Sequence, residues 1–132
     1  MRRSWLPVLL LVLAPVAVVA ACGGSDGASS TTVALRGAAA TGQQTVRDLG
    51  CTTCHMVDGS DGVGPTWKGL AGSKVHLEGG TTVTADEAYL REAITDPSKQ
   101  VVDGFRAVMP ERKLTDAQVD SIIAYLQAIG KR

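Results

Sequence analysis

The chain is poor in the residues that build metal clusters and disulfide frameworks: among 132 residues there are only three cysteines and two histidines. A structural zinc site needs four thiolate or imidazole ligands. With Cys22 claimed by the N-terminus, only His76 is left to complete one around Cys51 and Cys54. Large side chains are scarce as well, with one Phe, two Tyr and two Trp, too few for an ample core. Net charge is absent, with 13 basic and 13 acidic residues. Nucleic acid is therefore not an expected partner. No internal repeat is visible, and no apolar run is long and continuous enough for a comfortable transmembrane helix, which wants roughly 20 residues.

What the chain does have is Cys51-Thr52-Thr53-Cys54-His55. Cysteines three apart lie on one side of a helical turn, so both sulfurs can form thioethers with the vinyl groups on one edge of a haem. The next residue is then carried beneath the iron, where its imidazole becomes the fifth ligand. A redox dithiol would want a thioredoxin-like alternation of strands and helices, and no such pattern is present. The motif predicts one covalent haem c.

The N-terminus supplies a compartment in which that attachment takes place. Arg2 and Arg3 precede an apolar run from Trp5 to Ala21, broken by Pro7 and Pro15, which stops at Val19-Ala20-Ala21-Cys22. Residues 1–21 read as an export signal. The small residues before Cys22 resemble the processing box of bacterial lipoproteins, in which that cysteine is lipidated and begins the mature chain; an uncleaved signal anchor is the alternative. Either way a membrane surface is an expected partner. With one cysteine for lipid and two for haem, none is left for a disulfide. Loss of residues 1–21 leaves 11 basic and 13 acidic residues, a net charge of −2. The next stretch, 22–40, is rich in Gly, Ser, Thr and Ala without apolar periodicity, and is expected to be a flexible tether. Its 18 residues from Gly23 to Ala40 would reach roughly 20–25 Å as a coil. One domain remains, 41–132, in which a buried haem supplies the missing apolar bulk.

Three helices are predicted there, giving a mainly α architecture. The first runs from about Thr41 to Leu49 and leads into the haem-binding turn. The second opens on a capping box, Thr84-x-x-Glu87, carries Tyr89, Leu90, Ala93 and Ile94 as an apolar stripe, and ends at Pro97. The third opens on Thr115-x-x-Gln118, with Val119, Ile122, Ile123, Leu126 and Ile129 at helical spacing before Gly130. Between the first two, Val75 to Val83 alternates around Gly79-Gly80, the pattern of a small hairpin.

The sixth position on the iron decides between carrier and catalyst. Met56 follows His55 directly and cannot cross to the opposite ring face. His76 sits on the hairpin, where a surface or second-sphere imidazole is the simpler reading. Met109 lies far downstream in a loop that Pro110 stiffens, and is the expected ligand. A metal-bound imidazole usually donates its second N–H to a carbonyl; the backbone oxygen of Pro65, in Gly64-Pro65, is the expected acceptor.

In this order and spacing, the helix, Cys51-to-His55 motif, Gly64-Pro65, Met109-Pro110 and C-terminal helix resemble the class I cytochromes c over about 41–132. More narrowly, Gly62-Val63-Gly64-Pro65-Thr66-Trp67-Lys68-Gly69-Leu70, Ala88-Tyr89-Leu90-Arg91 and Val101-Val102-Asp103-Gly104-Phe105 resemble the cytochrome c domain fused to subunit II of some bacterial haem-copper oxidases. The copper-binding domain of that family has no counterpart here. The resemblance implies a class I cytochrome c fold and a stand-alone electron-entry module. Its expected partners are respiratory redox proteins, above all a haem-copper oxidase. It also implies that Tyr125 or Leu126 packs against Gly42 or Val46, and that Trp67 lines the haem where class I cytochromes often have Leu. Closed coordination by His55 and Met109 makes the expected protein an electron carrier and not an enzyme. A subunit of a dehydrogenase or sulfur-oxidising complex is the main alternative, and an open-haem peroxidase or gas sensor the other.

Overall fold

The first helix, α1, Ala38–Asp48, begins three residues before the expected start at Thr41. The computed structural model describes residues 35–106 and 108–130, all within the unit delimited as Val33–Arg132. The export signal and Cys22 lie outside the described residues. Ala38–Ala40, assigned to the tether, instead form the first helical turn, and Leu35 packs against the core. Alanine is the strongest helix former, so the small-residue composition that suggested a coil is equally a helix start. Gly37, with φ 57°, sets the entry.

Beyond the C-cap Leu49, the chain leaves α1 through Gly50, whose φ of 73° lies in the left-handed region that a residue with a side chain rarely enters. The chain then turns directly into a short 3-10 segment, Cys51–Thr53. The expected hairpin is present as β1, Lys74–His76, antiparallel to β2, Thr82–Thr84, with Val75 opposite Val83. It carries an addition with no sequence signature. Leu77 bridges to Val102, with Glu78 N–H donating to Val101 O at 2.9 Å and Asp103 N–H to His76 O at 2.9 Å. The segment after the second helix is thereby stitched to the hairpin.

Helix α2, Glu87–Thr95, is capped by Asp86, whose side chain accepts from Tyr89 N–H at 2.9 Å, and not by the expected Thr84. Thr84 is committed to β2, where its hydroxyl accepts from Lys74 Nζ at 2.7 Å. Asp is as good an N-cap as Thr or better, and strand pairing decides between the two. Helix α3, Asp116–Gly130, has its expected capping box. Gln118 N–H reaches Thr115 Oγ1 at 3.3 Å, and Thr115 N–H reaches Gln118 Oε1 at 2.9 Å. Gly130 is the last helical residue and not a stop beyond it; a Cβ there would meet Ala71 at 3.3 Å. Arg91 of α2 pairs with Asp120 of α3.

The core is made of Val46, Leu90, Ile94, Val119, Ile122, Ile123, Leu126 and Ile129, together with Trp67, Val75, Leu77, Ala85, Tyr89 and Tyr125. No described helix is long and apolar enough to cross a membrane. Helices α1 and α3 approach closely at Gly42. A Cβ on Gly42 would stand 1.8 Å from the Ser121 carbonyl oxygen and 2.9 Å from Tyr125 Cβ. The expected contact between Gly42 and Tyr125 is made, and Ser121 backbone, absent from the sequence reading, is nearer still. Because the obstacle is main chain, it cannot rotate away. Gly42→Ala is expected to lower stability by about 1–3 kcal/mol, the usual range for overpacking. The check is a thermal melt followed by circular dichroism, with a midpoint lowered by roughly 4–8 °C per kcal/mol for a domain of this size.

Candidate functional site

The site begins where α1 ends. Cys51 and Cys54 flank one turn, with Cys54 N–H and His55 N–H both donating to Cys51 O at 3.2 and 3.1 Å. Both thiols are free and partly exposed. Burial raises the Cys51 thiol pKa, while a local backbone hydrogen bond and the Arg112 guanidinium oppose it. The placement of Arg112, 61 positions after Cys51 in sequence, has no signal in the chain itself.

His55 follows, held by the loop Met56–Leu70. Its Nδ1 lies 2.8 Å from the carbonyl oxygen of Pro65. A carbonyl only accepts, so Nδ1 carries the proton and Nε2 presents its lone pair. Burial pushes the imidazole pKa down, partly offset by Pro65 O, which favours the neutral ring a metal requires. Pro65 is fixed there by a ladder of loop contacts. Gly64 N–H donates to Cys54 O at 3.1 Å and Trp67 N–H to Met56 O at 2.8 Å. Thr66 N–H donates to Asp61 Oδ1 at 2.9 Å, and Lys68 Nζ reaches Asp58 O at 3.1 Å.

Two further contacts close on the ring. A Cβ on Gly64 would stand 2.5 Å from His55 Cε1, so this glycine is required for the approach. Trp67, 6% exposed, stacks on His55 with ring centroids 4.9 Å apart and planes inclined by 12°. Tyr125 of α3 and Trp67 form a T-shaped pair, with centroids 6.3 Å apart and planes at 85°. The sequence placed Trp67 near the cofactor but not on the histidine.

His76 is exposed on β1, its Nδ1 2.9 Å from Thr82 Oγ1 across the hairpin. Met56 contributes its backbone oxygen to Trp67 and Thr66. Met109 lies in the irregular segment before α3 and is 38% exposed. The large exposed hydrophobics among the described residues are Val57, Val63, Val108 and Met109. They fall on two loops only, the one after the motif and the one before α3. Apolar side chains without protein cover on these two loops, two free thiols at the right spacing and a neutral imidazole with Nε2 available are together what a covalently bound haem needs. Among the described residues no three His, Cys, Asp or Glu side chains converge as a metal cluster.

The family model described as Cytochrome c matches residues 39–130. Cytochrome c2 of Rhodoplanes tepidamans is 34% identical over 90 residues, covering 60% of this chain and 90% of that protein. Cytochrome c2 iso-1 of Magnetospirillum molischianum is 30% identical over 91 residues, covering 60% and 89%. Among solved structures, cytochrome cH from Methylobacterium extorquens superposes with a TM-score of 0.53 at 34% identity, covering 70% of this chain and 99% of that one.

The Gly64 contact gives a direct test of the clamp. Gly64→Ala is expected to force the imidazole from its place or the loop from the imidazole, at a cost of about 1–3 kcal/mol. Visible absorption of the haem-loaded variant during thermal unfolding reads both effects, as a lower midpoint and a reduced low-spin fraction.

Proposed function

The chain belongs to the cytochrome c family and is a mono-haem electron carrier, not a catalyst, and from this we propose a membrane-tethered carrier that delivers single electrons to a haem-copper terminal oxidase. In this reading residues 1–21 direct export and are removed, Cys22 carries lipid, and the segment that follows links it to the haem domain on the outer face of the cytoplasmic membrane. The observation that carries the oxidase assignment is the loop Met56–Leu70. Its Gly62-to-Leu70 stretch, which resembles the domain fused to oxidase subunit II, is the segment that holds the His55 imidazole.

Cys51 and Cys54 would hold the cofactor edge through thioethers, and His55 Nε2 and the Met109 sulfur would ligate its iron. When bound, the haem iron takes up and releases one electron, and a thioether ligand places its potential above that of a bis-imidazole pair. The protein's task is to keep both ligands in place. Pro65 O holds the Nδ1 proton, which fixes the tautomer and strengthens the imidazole as a ligand. Pro110 stiffens the segment that presents Met109. Val57, Val63 and Val108 are the exposed valines of the two loops, and a haem seated against them would exclude water there.

Docking falls to the loop that carries Met109. Among the cations of the domain, Lys99 pairs with Glu92, and Lys68 and Lys74 are held by Asp58 O and Thr84 Oγ1. Arg106, Arg112 and Lys113 are exposed and form no ion pair among the described residues. Three cations beside a redox edge favour fast, salt-sensitive encounters with an acidic partner.

Rapid mixing of the reduced protein with respiratory membranes tests the electron acceptor. Fast haem oxidation coupled to cyanide-sensitive oxygen uptake is expected; oxidation without oxygen uptake would move the assignment to a dehydrogenase or sulfur-oxidising complex. For the anchor, mass spectrometry of the mature N-terminus is expected to find Cys22 as the first residue and carrying the mass of lipid. A mature protein that retains residues 1–21 and carries no lipid mass would instead identify an uncleaved signal anchor.

A further inference from the structure

The hydrogen bond from His55 Nδ1 to Pro65 O fixes one point of the imidazole, but one point does not define a plane. A ring held only there still tilts about the bond. The second restraint is the face of Trp67, nearly parallel to the imidazole at 12° and 4.9 Å. Trp67 is itself immobilised three times over. Its backbone N–H is bonded to Met56 O at 2.8 Å, its side chain is 6% exposed, and the edge of Tyr125 stands against it at 85°. Tyr125 in turn is 4% exposed and its Cβ lies beside Gly42 at the α1–α3 crossing. The imidazole plane is thus referred, through two aromatic rings, to the close crossing of α1 and α3.

We propose that Trp67 is a positioning residue for the proximal ligand, one that sets the plane of the His55 imidazole and lowers the reduction potential through the negative face of its indole. The sign follows from electrostatics. An aromatic face carries negative potential and attracts positive charge. An imidazole bound to iron is more positive when the iron is oxidised, so the indole stabilises the oxidised state more than the reduced one, and the potential falls. A leucine at the same place fills volume but supplies neither the plane nor the charge distribution. The inference rests on His55 as the proximal ligand. That assignment is read separately, from the low-spin ferric absorption of the unlabelled protein, so the two readings fail in different records.

The chain's two tryptophans are Trp5 and Trp67, so a Trp5→Phe protein grown with fluorinated tryptophans is labelled at Trp67 alone. Fluorine drains the negative face while leaving ring size nearly unchanged, which keeps the fold intact. The expected result is a stepwise upward shift in reduction potential with fluorine number, at constant melting temperature and circular dichroism. A potential that does not move, or moves down, overturns the electrostatic role. Trp67→Leu tests the plane: ferric electron paramagnetic resonance is expected to change from one low-spin species to a broadened or multiple set. A single unaltered species in Trp67→Leu, accompanied only by a lower melting temperature, would show that the indole is packing and nothing more.

Discussion

A histidine ligand is useful for electron transfer only if it stays still while the charge on the metal changes, and the ring of His55 is held by contacts that leave it little freedom. Pro65 O takes the Nδ1 proton, Gly64 passes so near that a single methyl would collide with Cε1, and Trp67 covers a face. None of these contacts depends on a long flexible side chain. Two are backbone and the third is a buried aromatic ring. Small reorganisation on oxidation and reduction is the consequence, because the groups around the ligand have no alternative arrangement to relax into.

That stillness is borrowed from elsewhere. The loop Met56–Leu70 contains no helix or strand, and a loop of this kind is ordinarily mobile. Here it is tied to itself by Asp58, Asp61 and Thr66 and to the body of the protein by Trp67. Trp67 stands against Tyr125, and Tyr125 stands at the place where α1 and α3 come within van der Waals contact of each other's backbones. The two terminal helices of the domain therefore do more than close the fold. Removing the small residue at their crossing would loosen Tyr125, then Trp67, then the ligand.

How far the sequence revealed this depends on the kind of interaction. Local signals were legible: Thr115 and Gln118 cap α3 as their spacing predicts, Gly79-Gly80 turns the hairpin, and Pro65 O accepts from His55. The error at α2 came from two local signals in competition, Thr84 and Asp86, which only the pairing of β2 with β1 separates. Ala38–Ala40 were misassigned because alanine serves a helix and a small-residue linker equally well. Beyond the packing of Gly42 on Tyr125, which the family resemblance implied, contacts between residues far apart in sequence left no trace. The effect of the Arg112 charge on Cys51, Leu77 bridged to Val102 and the T-shaped pair of Tyr125 and Trp67 are set by how elements pack, and packing has no period to read.

The composition now has a physical account. A chain of this length with one Phe and two Tyr buries aliphatic residues of α2 and α3 against each other and retains little to cover the ligand-bearing loops. Val57, Val63, Val108 and Met109 remain exposed on those loops, and each square ångström of apolar surface left in water forgoes about 25 cal/mol. A haem seated against them would recover part of that energy and so join cofactor binding to completion of the core. Two thioethers make the event irreversible, which suits a protein whose site spans two loops joined by no backbone hydrogen bond among the described residues. In such a chain the scarcity of large side chains is a consequence of the cofactor, which supplies the bulk that the sequence omits.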